Sequence, residues 1–124
     1  MKILFVCAGN ICRSPMAEVI FRNIAKKHNR TDITVQSAGT CACVGCDMTP
    51  FARDALVELG LLEFGENYNH TATQFTMDMK ETFDHIVDLR DFADPYGGDL
   101  PTYIDVCKQL QEYCETLYTK WCKT

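Results

Sequence analysis

Cys7 and Arg13 bracket a short loop in "VCAGNICRSPMAE" (residues 6–18), with Ser14 and Pro15 directly after. A cysteine can supply a thiolate nucleophile, and an arginine can present a planar fork to two oxygens of a tetrahedral dianion. Between a buried strand and a helix, the intervening N–H groups point inward and the helix dipole adds positive field. Such a cradle accepts a phosphate-sized oxyanion. Ala8, Gly9, Asn10, Ile11, Cys12, Arg13 and Ser14 would line it, with Gly9 expected to permit the tight turn. The same donors favour the charged form of Cys7, so its thiol pKa is expected to fall. The chemistry implied is nucleophilic catalysis through a phosphocysteine intermediate. A bare Cys-x5-Arg occurs widely; its place after an apolar run and before Ser-Pro makes it informative.

Leaving-group chemistry also needs a general acid. Asp88, Asp91 and Asp94 share one stretch, and spacing alone does not choose among them. Asp94 precedes Pro95, which restricts it to extended backbone, and Gly97-Gly98 let the loop arch over a pocket.

These groups need elements to position them. "KILFVC" (2–7) is a continuous apolar run, as expected for a strand buried on both faces of a parallel sheet. Ser14 can cap a helix opened by Pro15, with Met16, Val19, Ile20 and Ile24 at helical spacing. A second strand is read over 32–40. Thr49-Pro50 starts a second helix that Gly60 stops. A short helix (76–83), a third strand (85–89) and a loop (91–99) follow. The last helix begins near Pro101, with an apolar series running from Leu100 and Tyr103 to Tyr118 and Trp121. This alternation predicts one α/β domain over residues 1–124. Its sheet is open and parallel, with three or four strands, helices on both faces and a phosphate loop after the first strand. In such folds the ligand site lies at the carboxyl ends of the strands, where Cys7 falls.

The 124 residues are 47% apolar and 23% charged, which fits a globular chain. The net charge of −5 and the lack of a strong basic cluster beyond "AKKHNR" (25–30) argue against nucleic acid. The N-terminal apolar run is too short for a signal peptide or membrane span, so no membrane partner and a cytoplasmic location are expected. The eight cysteines are accordingly read as reduced thiols.

"VCAGNICRSPMAE" resembles the signature of the low-molecular-weight protein tyrosine phosphatases. The resemblance extends through "SAGT" (37–40), the proline-initiated second helix, "NHTATQFT" (69–76) and "DPYGGD" (94–99). It implies Cys7 as nucleophile and Arg13 with the loop amides as the phosphoryl cradle. Ser14 would assist the thiolate, and Asp94 would serve as acid and then base. Ser37 and His70 would support Asn10. It also implies a phosphorylated protein as substrate, phosphate or a similar oxyanion in the loop, and no cofactor or metal. Cys12 would form a reversible disulfide with Cys7 under oxidation. Two departures stand out. One α/β unit between the third strand and the aspartate loop is lost or merged. "CACVGC" (41–46) replaces a stretch that often holds a pocket-wall aromatic, leaving Cys43 and Tyr96 as wall candidates. Related phosphoarginine enzymes favour threonine where this chain has Ile11, which points towards phosphotyrosine.

Three other readings stay open. A thioredoxin-coupled arsenate reductase would need two further cysteines. Cys107 and Cys114, seven apart on one helix face, are separated by roughly 10 Å, beyond the roughly 7 Å a disulfide tolerates. A thiol redox or metal module on Cys41, Cys43 and Cys46 would lack the usual two Cys-x2-Cys knuckles. A phospho-binding protein without turnover would result if the shortened chain misplaced Asp94.

Overall fold

The structure, a computed structural model, describes residues 1–122. Strand β1 (Lys2–Cys7) is buried from Ile3 onward, which explains its unbroken apolar sequence. It forms the centre of a parallel sheet ordered β2-β1-β3, flanked by β2 (Thr34–Gly39) and β3 (His85–Asp88). Three strands form, the lower of the two expected numbers. Residues 89–99 alone link β3 to the last helix, too short a connection for another crossover and strand. β2 is shorter at both ends than its composition suggests. β3 ends at Asp88, after which the Leu89 N–H still donates to the Val6 carbonyl at 2.7 Å.

The helices are α1 (Arg13–Lys27), α2 (Pro50–Glu58), α3 (Met79–Thr82) and α4 (Leu100–Cys122). Alternation along β1 sends Ile3 and Phe5 into a core shared with α1, α2 and α4. Leu4 and Val6 face the other way, joining Ala38 beneath Phe75, Met79 and Phe83. Both faces therefore carry helices, but unequally: the second is covered by the single-turn α3 and its flanks. Phe21 of α1 sits among Phe5, Tyr118 and Trp121, with ring centroids 5.9–6.1 Å apart. This packing fixes the axis of α1, and with it Arg13 at its first turn.

α2 starts as its sequence indicates: the Thr49 hydroxyl accepts from the Ala52 N–H at 3.4 Å, Pro50 follows, and Gly60 turns with φ +72°. α1 does not. It begins at Arg13, the N-cap is Cys12 without a side-chain cap bond, and Ser14 lies inside the first turn. The Ser14 hydroxyl is withdrawn from capping because buried partners described below hold it. On α4, Tyr103, Cys107, Leu110, Cys114, Leu117 and Tyr118 are buried as the apolar series requires. Cys107 and Cys114 are separate, free thiols. Among the described residues no helix is long and apolar enough to cross a membrane.

Candidate active site

β1 ends at Cys7 and α1 starts at Arg13, so residues 8–12 must turn within a few ångströms. Their carbonyls point outward. Cys7, Ala8, Gly9 and Ile11 accept from the N–H groups of Thr40, Cys41, Cys43 and Thr49 at 2.9–3.1 Å. The N–H groups of residues 8–12 have no acceptor among the described residues. They are left with the helix N-terminus as anion donors.

Asn10, and not Gly9, makes the turn: its φ is +59°, while Gly9 is absent from the positive-φ residues. Asparagine tolerates the left-handed region because its short amide can bond locally. Here that amide is saturated. Nδ2 donates to Ser14 Oγ at 2.7 Å and Ser37 Oγ at 3.0 Å, and Oδ1 accepts from the Thr73 N–H at 2.9 Å. His70 Nε2 donates to the Asn10 carbonyl at 2.7 Å. Asn10 is wholly buried. The glycine this loop requires is Gly39 at the end of β2, where a Cβ would lie 2.4 Å from the Ala8 carbonyl oxygen.

Cys7 Sγ lies 2.9 Å from Ser14 Oγ. Ser14 Oγ already receives the Asn10 amide, which leaves its own proton for the Cys7 sulfur at 2.9 Å or the Ala38 carbonyl at 3.5 Å. Arg13 is buried, and its Nη1 donates to the Phe92 and Arg90 carbonyls at 2.9 and 3.3 Å. Its Nη2 is 3.5 Å from Asp94 Oδ2, and its Nε has no partner among the described residues. An unsatisfied guanidinium N–H beside free loop amides is an orphan donor that an oxyanion would satisfy.

Of the three aspartates, Asp94 is the one paired with Arg13. Asp88 is chelated by Arg90, whose guanidinium holds the carboxyl below its usual range, and Asp91 has no such pairing. The Asp94 side chain is half-exposed, and its Oδ1 accepts from the Tyr96 N–H at 3.1 Å, a turn that orients the carboxylate at the mouth of the cradle.

Several supports carry no sequence signal. Glu18, buried on α1, accepts from Ser37 Oγ at 2.9 Å, pairs with Arg22 at 3.5 Å and accepts from the Tyr68 hydroxyl. Burial and the Glu18 charge raise the Tyr68 pKa well above its ordinary value. Cys12 is buried with its Sγ 3.4 Å from Tyr103 OH and 3.6 Å from Thr49 Oγ1. Burial pushes the Cys12 thiol up, and Tyr103 is raised to about 12, also by burial. Helical and turn periodicities say nothing about such cross-element contacts.

The rim differs from expectation. Cys43 and Cys46 are joined by a disulfide with Cα atoms 5.6 Å apart, so these two are not reduced thiols and Cys41 alone is free there. A three-thiolate metal set is therefore not formed, and no group of three metal-ligating side chains occurs among the described residues. Cys43 still borders the loop through its N–H bond to Gly9. Tyr96 is 66% exposed, on the same turn as Asp94.

The sequence model of the low molecular weight phosphotyrosine protein phosphatases matches residues 2–91. The chain belongs to this family. The family consists of cysteine-based phosphatases, and the relatives differ in the bond they act on. A protein-arginine-phosphatase of Bacillus subtilis is 29% identical, covering 94% of this chain and 94% of its own length. PtpB of Staphylococcus haemolyticus, a low molecular weight protein-tyrosine-phosphatase, is 33% identical over 89% and 92% of the two chains. A crystal structure of a YwlE mutant from Bacillus subtilis has a TM-score of 0.86 at 28% identity and 99% coverage of both chains. The short connection after β3 thus leaves the phosphatase fold intact.

Proposed function

We propose that this chain hydrolyses phosphotyrosine in cytoplasmic proteins, using Cys7 as nucleophile, Arg13 and the loop amides as phosphoryl cradle, and Asp94 as acid and base. The observation that carries the reading is the junction at Arg13. One buried guanidinium joins the anion cradle to the loop bearing Asp94, with the Ser14-bonded Cys7 at the base.

In the first step the Cys7 thiolate attacks phosphorus and the P–O bond to the leaving group breaks. Asp94 gives its proton to the departing oxygen. The transferred group's charge is met by the amides of residues 8–12 and by Arg13. In the second step Asp94, now a carboxylate, takes a proton from water, whose oxygen attacks phosphorus and expels Cys7 as thiolate. The Ser14 hydroxyl donates to the leaving sulfur.

Tyrosine is favoured over arginine by Ile11. Its half-buried side chain is apolar, so it would offer an aryl ring a packing surface but no acceptor to a guanidinium N–H. Tyr96 supplies an aromatic wall on the acid loop. No observation favours arsenate reduction: Cys107 and Cys114 are buried in the α4 core.

The test is hydrolysis of para-nitrophenyl phosphate across pH by wild type, Cys7→Ser and Asp94→Asn, followed by phosphotyrosyl and phosphoarginyl peptides. Activity abolished in Cys7→Ser and higher kcat/KM on the tyrosyl peptide are expected. Wild-type hydrolysis surviving in Cys7→Ser would overturn the mechanism, and preference for phosphoarginine would overturn the substrate.

A further inference from the structure

We propose that Cys43 and Cys46 form a second redox site, which a dithiol reductant opens and whose oxidation state sets the wall of the substrate pocket. The wall consequence rests on the phosphatase reading above; the redox site itself does not. Neither Cys7 nor Cys12 belongs to it.

The first observation is placement. The disulfide closes a four-residue ring, Cys43-Val44-Gly45-Cys46, on the protein surface, with Cys43 exposed and Val44 70% exposed. An exposed sulfur is open to attack by an external thiolate. The second is attachment. The Cys43 N–H donates to the Gly9 carbonyl of the phosphate loop at 3.1 Å. On its other side the ring exchanges two hydrogen bonds with Ala72, at 3.1 Å from the Gly45 N–H and 2.8 Å to the Cys46 carbonyl. Ala72 lies between His70 and Thr73, both of which bond Asn10. The ring is therefore a clasp between the loop and the segment that supports it. Gly45, at φ +86°, makes the turn that lets the two cysteines meet.

The exchange balances as a two-electron step. One thiolate of the reductant attacks Cys43 Sγ, the Cys43–Cys46 bond breaks, and Cys46 leaves as thiolate. The second thiol of the reductant, as thiolate, then attacks the mixed disulfide and releases Cys43. The dithiol is oxidised to a disulfide, and the pair is reduced to two thiols. The opened turn keeps its backbone hydrogen bonds but loses its covalent closure. Val44, next to the Gly9-bonded Cys43, is then less fixed, so an aryl ring seated over the cradle would pack against it less well, while the retained backbone bonds hold the oxyanion cradle unchanged.

The full chain would be equilibrated with reduced and oxidised dithiothreitol in varying ratio. Free thiols would be trapped with a maleimide and mapped by mass. Cys43 and Cys46 are expected to be protected together under oxidising ratios and labelled together under reducing ones, in wild type and in Cys12→Ser alike. Benzylphosphonate affinity would be measured on both forms, with inorganic phosphate as the control lacking a ring. A loss of about 3-fold in benzylphosphonate affinity on reduction, with phosphate affinity unchanged, is expected. Cys43 and Cys46 labelled at every ratio, or either one paired with Cys41, would overturn the site. Equal benzylphosphonate affinity in the two forms would overturn its effect on the wall. Because these readouts need no turnover, a chain that exchanges and binds but hydrolyses no phosphate ester would sink the phosphatase reading alone.

Discussion

The two loops that meet at Arg13 are built in opposite ways. In the phosphate loop, Asn10 is wholly buried, all of its polar groups but the N–H facing the cradle are bonded, and four outward carbonyls are taken by residues 40–49. In the 91–99 segment, Phe92 packs on Tyr113 with ring centroids 5.2 Å apart and Pro95 is buried, but Asp94 and Tyr96 are exposed. The side-chain hydrogen bonds and ion pairs there are the Asp94 turn, the Asp99–Thr102 bonds and the contact with Arg13. A cradle must hold donors in place before the reaction, since donors that reorganise lose much of their effect. The acid role proposed for Asp94 would require it to follow a leaving group in and out, which a less constrained segment suits. Arg13 couples the two by bonding the Phe92 carbonyl from the rigid side.

Breaking the chemistry at each loop gives the largest expected effects. Cys7→Ser should abolish phosphate-ester hydrolysis in a steady-state assay, because serine in this cradle is a far weaker nucleophile. Asp94→Asn should lower kcat by about 10²- to 10³-fold on substrates with poor leaving groups, and less on activated aryl phosphates. Its melting temperature should stay within about 2 °C of wild type, as expected of an exposed carboxylate. Asn10→Ala should fail on both counts. It deletes three side-chain hydrogen bonds and leaves alanine at φ +59°. A stability loss of about 3 kcal/mol and a fall in kcat are expected, read by urea unfolding and the same assay. If Asn10→Ala kept wild-type stability, the contrast between a rigid cradle and a free acid loop would collapse.

Gly39→Ala sharpens the same comparison at smaller size. The added methyl would meet the Ala8 carbonyl at 2.4 Å and push the loop from behind. The expected loss is about 2 kcal/mol in urea unfolding, with weakened phosphate binding. Gly97→Ala, in the acid loop, meets open space and pays only for its positive φ. About 1 kcal/mol is expected there, with phosphate affinity unchanged.

Much of this was legible in the residues. The apolar run of β1, the Thr49-Pro50 start of α2 and the long face of α4 follow from periodicity and capping, which are local. The Cys7–Arg13 pair stands out by its spacing, which confines both residues to the one short turn between β1 and α1. The substitution of Asn10 for Gly9 as the turn residue was not legible, because either can adopt φ > 0 and only the partners decide. Ser14 was misread as a cap for a related reason: its preference for a helix start is real, but Cys7 and Asn10 compete for the hydroxyl. Thr49 and Tyr103 meet Cys12 from distant segments, Glu18 and Tyr68 act on Asn10 through Ser37, and no spacing rule relates them to the loop. The Cys43–Cys46 closure follows from a turn at Gly45, whereas the composition argument for reduced thiols concerns compartments and not local geometry.

The cysteines extend the contrast to the core, where the expected effect is smallest at neutral pH. Burial alone acts on Cys107 and pushes its thiol up to about 12. Cys114 is raised in the same direction by burial, and so are Cys12 and Tyr103. Each group keeps its proton in the folded state at a pH where the unfolded chain has lost it. The folded state then binds more protons, so stability falls as pH rises. The contribution is fully present below about 9, the ordinary thiol value, and is lost progressively as pH climbs towards 12. Urea midpoints measured from pH 7 to 11 should therefore be level to about 9 and decline above it. Cys107→Ala removes one of the titrating groups, so its decline should be shallower than that of wild type even though its midpoint at pH 7 is slightly lower. Parallel declines for the two proteins would mean that Cys107 titrates alike in folded and unfolded chains, and that its burial does not govern its proton.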